Sequence, residues 1–158
     1  MTNRLKIAAA ALVVVGVGLF GAWKLAPDRR PASQQILDTL VEIQKAVAEK
    51  NLRGTMKHIS ESYRDPETEN KRELTQLAIS GFREPGQFQV VLQAGRPEVQ
   101  GSQATVDVRV EFSVAQGQSA RRVEPFTVHT RWAKEKGHWR IVWSDGYWQA
   151  SEAFEPGA

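Results

Sequence analysis

Cysteine is absent from the 158 residues. That gap removes a disulfide framework, thiolate metal ligands and the lipid-modified cysteine of lipoproteins. Histidine is nearly as scarce. His58, His129 and His138 are scattered, with no pair at ligand spacing, so neither a metal nor another cofactor is expected. Glycine-rich phosphate loops, nucleophile elbows and internal repeats are missing too. The basic excess is also smaller than the net charge of +3 implies. Arg4, Lys6, Lys24, Arg29, Arg30 and the acid Asp28 all precede residue 31, so of 21 basic and 18 acidic side chains, 16 and 17 remain beyond it. A nearly neutral domain lacks the broad positive field that binds nucleic acid, and no nucleic-acid partner is expected.

Charge is missing altogether from residues 7–23, within IAAAALVVVGVGLFGAWKL (7–25). These 17 residues span roughly 26 Å as a helix at about 1.5 Å per residue. Continuing through Ala26 approaches the roughly 30 Å of hydrocarbon in a bilayer, where a helix satisfies its own backbone. A cleaved signal peptide is the competing reading. Its sites are poor: cutting after Ala22 puts Phe20 at −3, and cutting after Ala26 puts Pro27 beside the scissile bond. The expectation is a retained anchor over 7–26, with 1–6 as a cytoplasmic tail. Basic residues flank both ends and barely set the orientation. A short tail is easily left inside, which points to a single pass through the inner membrane and a periplasmic C-terminal domain. Trp23 and Lys24 then serve as interface anchors. Gly18 and Ala22 form a small-xxx-small pair that lets a second helix approach, a match that Ala- and Gly-rich runs also give by chance.

Residues 27–32 read as a stiff spacer, 33–149 as one domain and 150–158 as a flexible tail. Ser33 is a candidate N-cap. Ile36, Leu37, Leu40, Val41, Ile43, Val47 and Ala48 recur at helical spacing, with Gln35, Asp38, Glu42, Lys45 and Glu49 outward. A shorter helix is expected after Asn51. A third opens near Asn70, with Leu74, Leu77, Ala78 and Phe82 on one side. After Gly86 the period becomes 2. Phe88, Val90 and Leu92 alternate, and Gly101–Ser102 suits a type II′ hairpin. The alternation from Ala104 to Val114 is unbroken, which requires a strand with one buried face. Residues 116–120 read as a polar loop. Further strands follow over Phe126–Trp132 and His138–Tyr147, with Trp139, Ile141 and Trp143 in phase.

Three helices followed by antiparallel strands make an α+β domain with helices on one face of a curved sheet. In HISESYRD (58–65) with KRELTQL (71–77), and in GHWRIV (137–142), the chain resembles bacterial members of the nuclear-transport-factor-2-like (NTF2-like), or cystatin-like, superfamily. The resemblance covers nearly all of 33–149. It implies a cone of three helices on a curved sheet, and no single activity, because that fold hosts isomerases, dehydratases and transport adaptors. It also implies, for some members, dimerisation through the sheet face.

Superfamily enzymes hold an acid and a base inside the cone. Here Asp107 and His129 alternate away from the apolar stripe, and a tyrosine on the first helix with paired carboxylates has no counterpart. No catalytic residue is assigned. Contact or pocket candidates are Tyr63, Asp65, Arg109, Arg131, Trp143, Tyr147 and Trp148. For the indoles the alternative is core filling, for Tyr63 packing at a helix junction, for Asp65 capping a turn. For the arginines it is a solvated face of paired charges, shared with Glu111 and Arg140. The expected function is a single-pass, membrane-anchored, non-catalytic interaction module. It would be an accessory subunit of a secretion, transport or energy-transducing complex, or a homodimer. The alternative is a small-ligand-binding protein or isomerase/lyase-type enzyme using the cone.

Overall fold

Strand β3 (Gln103–Gln116) is the axis of the domain, because every other strand but one pairs with it. The computed structural model describes residues 28–147. The expected anchor, with Gly18, Ala22, Trp23 and Lys24, and the stretch from Trp148 onward lie outside the described residues. Among the described residues no helix is long and apolar enough to cross a membrane. In chain order the elements are α1 (Ala32–Ala48), α2 (Leu52–Met56), α3 (Lys71–Phe82), β1 (Gln87–Ala94), β2 (Glu98–Gln100), β3, β4 (Ser119–Arg122), β5 (Phe126–Glu135) and β6 (His138–Asp145).

The sheet runs β1-β3-β5-β6, all antiparallel, with β2 and β4 paired to the two ends of β3. β1 and β2 thus form one interrupted partner of β3, and β4 and β5 the other. Each interruption ends in a proline, Pro97 or Pro125, which has no N–H to give a ladder. Gly95 donates to Asp107 across the first break at 2.8 Å, and Val123 to Phe112 across the second at 3.0 Å. These breaks let a sheet this long bend around its helices. The expected hairpin at Gly101–Ser102 is present: Gln100 faces Gln103, and Gly101 has φ +61° while Ser102 does not go positive, as type II′ requires. Sequence reading made residues 116–120 a loop, whereas Ser119 and Ala120 already pair back onto β3. With alternation absent from a short polar strand, periodicity gives no signal there.

Helix α1 starts at Ala32 with Pro31 at its N-cap, not Ser33. Its entry is tied by Gln35, whose Nε2 donates to the Arg30 carbonyl at 2.7 Å, and this buries a glutamine expected to face outward. Leu40 and Val41 are adjacent and cannot both face the sheet. Leu40 is buried and Val41 is 65% exposed. The side chains of Asn51 and Asn70 accept from the N–H groups of Gly54 and Glu73, capping α2 and α3.

The main core packs Ile36, Leu40 and Ile59 onto Val106, Val108, Trp132, Trp139 and Ile141. A second cluster joins Phe88, Phe112 and Val114, with Phe82 and Val47 alongside. Its rings meet edge to face, Phe88 lying 5.1 Å from Phe112. No residue of α3 is buried, and Leu77 is 44% exposed. The free edge of β6 is covered by the segment after α2. Ile141 donates to the His58 carbonyl and accepts from Ser60, both at 2.9 Å, and Arg64 donates to Val142 at 3.1 Å.

Candidate functional site

The inward face of the sheet leaves little room inside the cone. Trp132, 1% exposed, donates through Nε1 to Thr130 Oγ1 at 2.8 Å, and Thr130 donates onward to the Val106 carbonyl at 2.7 Å. Tyr63, also 1% exposed, shares a 2.5 Å hydrogen bond with Ser144 Oγ. These hydroxyls and the Trp132 indole are therefore satisfied by one another, whereas the indole N–H of Trp139 in the same core has no hydrogen-bond partner among the described residues. Burial, reinforced by the nearby Asp65 carboxylate, pushes the Tyr63 phenol far above its ordinary range.

Asp65 lies at the rim. Its carboxylate accepts from the N–H groups of Glu67 and Thr68, from Thr68 Oγ1 at 2.6 Å and from Tyr147 Oη at 3.1 Å. Burial alone would raise its pKa, but hydrogen bonds from Thr68, Tyr63 and Glu67 outweigh it and hold the carboxyl below its ordinary value. A proton-abstracting base needs the opposite shift. Tyr63, Asp65 and Tyr147 thus form one cluster that pins the 60–70 loop to the end of β6.

The opposite face of the sheet has no covering element among the described residues. Here the ladder places Asp107 beside His129, Thr105 beside Arg131 and Arg131 beside Trp143. His129 Nδ1 is 2.7 Å from Asp107 Oδ1, with both side chains exposed. The Arg131 guanidinium lies 4.4 Å from the Trp143 ring centroid, a cation–π stack. Beside it is a hollow of about 300 Å³ lined by Glu98, Gln100, Gln103, Thr105, Arg131 and others. Glu111 faces Val91, which is 45% exposed, and Arg109 faces Gln93, so this polar face continues onto β1.

Trp143 reaches this face through an irregularity that alternation could not reveal. Trp132 pairs with Ile141 but Arg131 pairs with Trp143, so Val142 is an extra residue, a β-bulge. One added residue reverses the side-chain phase. Trp139 and Ile141 stay in the core, Trp143 turns outward, and Ser144 rather than Trp143 meets Tyr63.

A second concavity, of about 720 Å³, lies between α1 and the β5–β6 hairpin, with His58 at its inner wall. Glu42, read from the sequence as simply outward, meets Lys57 at 2.9 Å and His58 Nε2 at 3.1 Å. That contact is at ion-pair distance, with the imidazole Nε2 facing the Glu42 carboxylate. Burial, with Lys57, lowers the His58 pKa against the opposing pull of Glu42. Arg30 bridges Asp28 and Asp38, and its hydrogen bonds hold Asp28 at about 2. Among the described residues no group of three His, Asp or Glu gathers as metal ligands would.

An NTF2-like protein of unknown function from Pseudomonas putida KT2440 superposes with TM-score 0.58 at 11% identity, over 73% of this chain and 84% of that one. A cystatin-like protein of unknown function from Nostoc punctiforme gives 0.55 at 12%, over 72% and 87%. The fold is NTF2-like. A protein assigned as a dehydratase of the NTF2-like family, from Streptomyces avermitilis, gives 0.61 at 8%, over 70% and 91%. Identities this low carry the NTF2-like fold and nothing of activity. No protein-family model matches the chain. No curated protein matches it either.

Proposed function

We propose that this chain is a membrane-anchored, non-catalytic NTF2-like interaction module, an accessory subunit of a larger membrane complex. A helix over residues 7–26 holds it in the inner membrane with the domain on the periplasmic side. The observation that carries this reading is the sheet face that no described element covers, where Arg131 lies on Trp143 beside a hollow of about 300 Å³. Tryptophan and arginine are the residue types on which binding energy concentrates at protein interfaces. Paired charges such as His129–Asp107 around such an anchor set register with a partner. The cone, by contrast, is occupied by Trp132, Tyr63 and Val106. Its nearest carboxylate, Asp65, is held ionised by donors it already has, which speaks against an isomerase or lyase working there.

The test is purification of the full chain from gently solubilised native membranes. The expected result is a stable complex that Arg131→Glu and Trp143→Ala each weaken without unfolding the domain. A lone monomer under every mild condition overturns the proposal, and a second copy as the sole companion replaces it with a homodimer. Release of the chain by alkaline carbonate would remove the anchor from the reading.

A further inference from the structure

The two edges of the sheet are finished differently. The β6 edge is closed by the segment after α2, which bonds to Ile141 and Val142. At the other edge, β1 pairs on one side only, with β3, among the described residues. Gly95 donates inward to Asp107, so by the alternation of an antiparallel ladder the backbone groups of Val90, Leu92 and Ala94 point away from β3. Leu92 shows this parity directly, its N–H donating to Gln44 Oε1 on α1 at 2.7 Å. Exposed edges are usually blunted by a lysine, a proline or a bulge that discourages a further strand. The sequence of β1, QFQVVLQA, has no charge and no proline, and its register with β3 is unbroken.

Apolar side chains gather at the same edge. Four large ones are exposed among the described residues: Val41, Leu77, Val91 and Val99. Val91 stands on the outer side of β1, opposite Glu111. Val99 belongs to β2, which continues the line of β1 along β3. Val41 precedes Gln44 by three residues, so it shares the flank of α1 that reaches over this edge. Three of the four therefore border β1 and its continuation. A strand laid along β1 would run beneath Val41 and beside Val91, adding a row of backbone hydrogen bonds as it covered them.

Charge selects the occupant. Because β1 carries none, two copies can lie side by side without like charges opposed. The nearest charges beyond its ends differ in sign, Glu84 before and Arg96 after, and neither is in an ion pair among the described residues. An antiparallel copy brings the Glu84 end of each chain to the Arg96 end of the other. Residue 90 is midway between them, and its backbone is among those facing outward. We propose that β1 pairs antiparallel with β1 of a second copy about a two-fold axis at Val90, joining two sheets into one. Val90 then faces the partner's Val90, and Gln89 the partner's Val91. Gln44 holds the Leu92 donor and leaves Val90 and Ala94 to the copy. The contact uses neither Arg131 nor Trp143, so it stands apart from the partner-binding face.

The experiment is sedimentation velocity of the full, detergent-solubilised chain over a dilution series. A dimer is expected. Val91→Lys should raise its dissociation constant at least tenfold by placing a charge on each copy's edge, while the fold keeps a lysine opposite Glu111. Because the chain has no cysteine, Gln89→Cys and Val91→Cys each carry a single thiol. Mixed and allowed to exchange, these two variants should cross-link to each other far faster than either to itself, since 89 and 91 form a closely spaced pair with Cα atoms about 4.5 Å apart. A monomer at every concentration, or a dimer that Val91→Lys leaves intact, overturns the proposal. A dimer broken by Arg131→Glu and not by Val91→Lys assigns the contact to the sheet face instead. Self-cross-linking of Val91→Cys as fast as the mixture overturns the axis at Val90. A co-purifying different protein that Val91→Lys releases, with no dimer, overturns the second copy as occupant.

Discussion

Replacing Tyr63 by phenylalanine removes one oxygen from the most enclosed phenol in the domain. The hydroxyl shares a 2.5 Å hydrogen bond with Ser144 Oγ, itself 8% exposed, and no other partner of Ser144 Oγ is present among the described residues. Tyr63→Phe therefore strands a buried hydroxyl, at about 1–3 kcal/mol. Ser144→Ala strands the phenol less completely, because the Asp65 carboxylate is close by, and should cost about 1 kcal/mol. The double variant strands neither group, since both ends of the bond leave together. Its loss should fall below the sum of the single losses by about 1 kcal/mol, the coupling expected of a buried contact pair. For a domain of this size a loss of about 2 kcal/mol lowers the melting temperature by roughly 6–10 °C. Urea unfolding followed by tryptophan fluorescence, repeated for all four proteins, measures the cycle. Strict additivity would refute the reasoning that these two oxygens depend on each other.

Gly146 has φ +95°, and a Cβ there would stand 2.4 Å from the Thr127 carbonyl oxygen, so Gly146→Ala should cost more than about 2 kcal/mol in urea. Gly101 has φ +61° with open space around it, so Gly101→Ala should cost only about 1 kcal/mol, and equal losses at the two would refute the role of that close approach. Burial and Lys57 favour neutral His58 in the folded state, with Glu42 opposing and Arg140 adding to the lowering. The unfolded chain then binds more protons below its ordinary value of 6.5, so the contribution is complete above that pH and is lost as pH falls through the lower folded value. His58→Gln should flatten the dependence of the urea midpoint between about pH 7 and pH 5, and an unchanged slope would refute it. Arg131→Ala should cost under about 1 kcal/mol of stability while weakening partner capture, because exposed cation–π contacts contribute little to folding.

The architecture was legible wherever one face of an element repeats. The alternation of Ala104 to Val114 located β3, and the spacing of Ile36 and Leu40 located α1, because both report a buried face directly. The asparagines at 51 and 70 announced two helix starts through their own side-chain chemistry. The same alternation placed Asp107 and His129 outward, where they meet. What escaped depends on pairing between distant segments. The strand β4 carries no periodic signal, and the bulge at Val142 exists only relative to β5. Glu42, His58 and Arg140 lie on three separate segments, and nothing local says that they border one groove. Alternation alone puts Trp139 and Trp143 on one face because it is blind to an insertion, and only the preference of indoles for interfaces makes Trp143 a contact candidate.

That insertion turns β6 into two short rulers laid end to end. Up to Ile141 the strand measures inward, and its indole contributes cohesion; from Trp143 the count is offset, and the next indole is spent on display. Were Val142 instead taken into the ladder opposite Arg131, Trp143 would fall opposite Thr130 beneath the helices and Ser144 opposite His129 on the surface, depriving Tyr63 of its companion at the same stroke. A single spare residue thus keeps holding the domain together and showing an aromatic to its surroundings from competing for the same side chain.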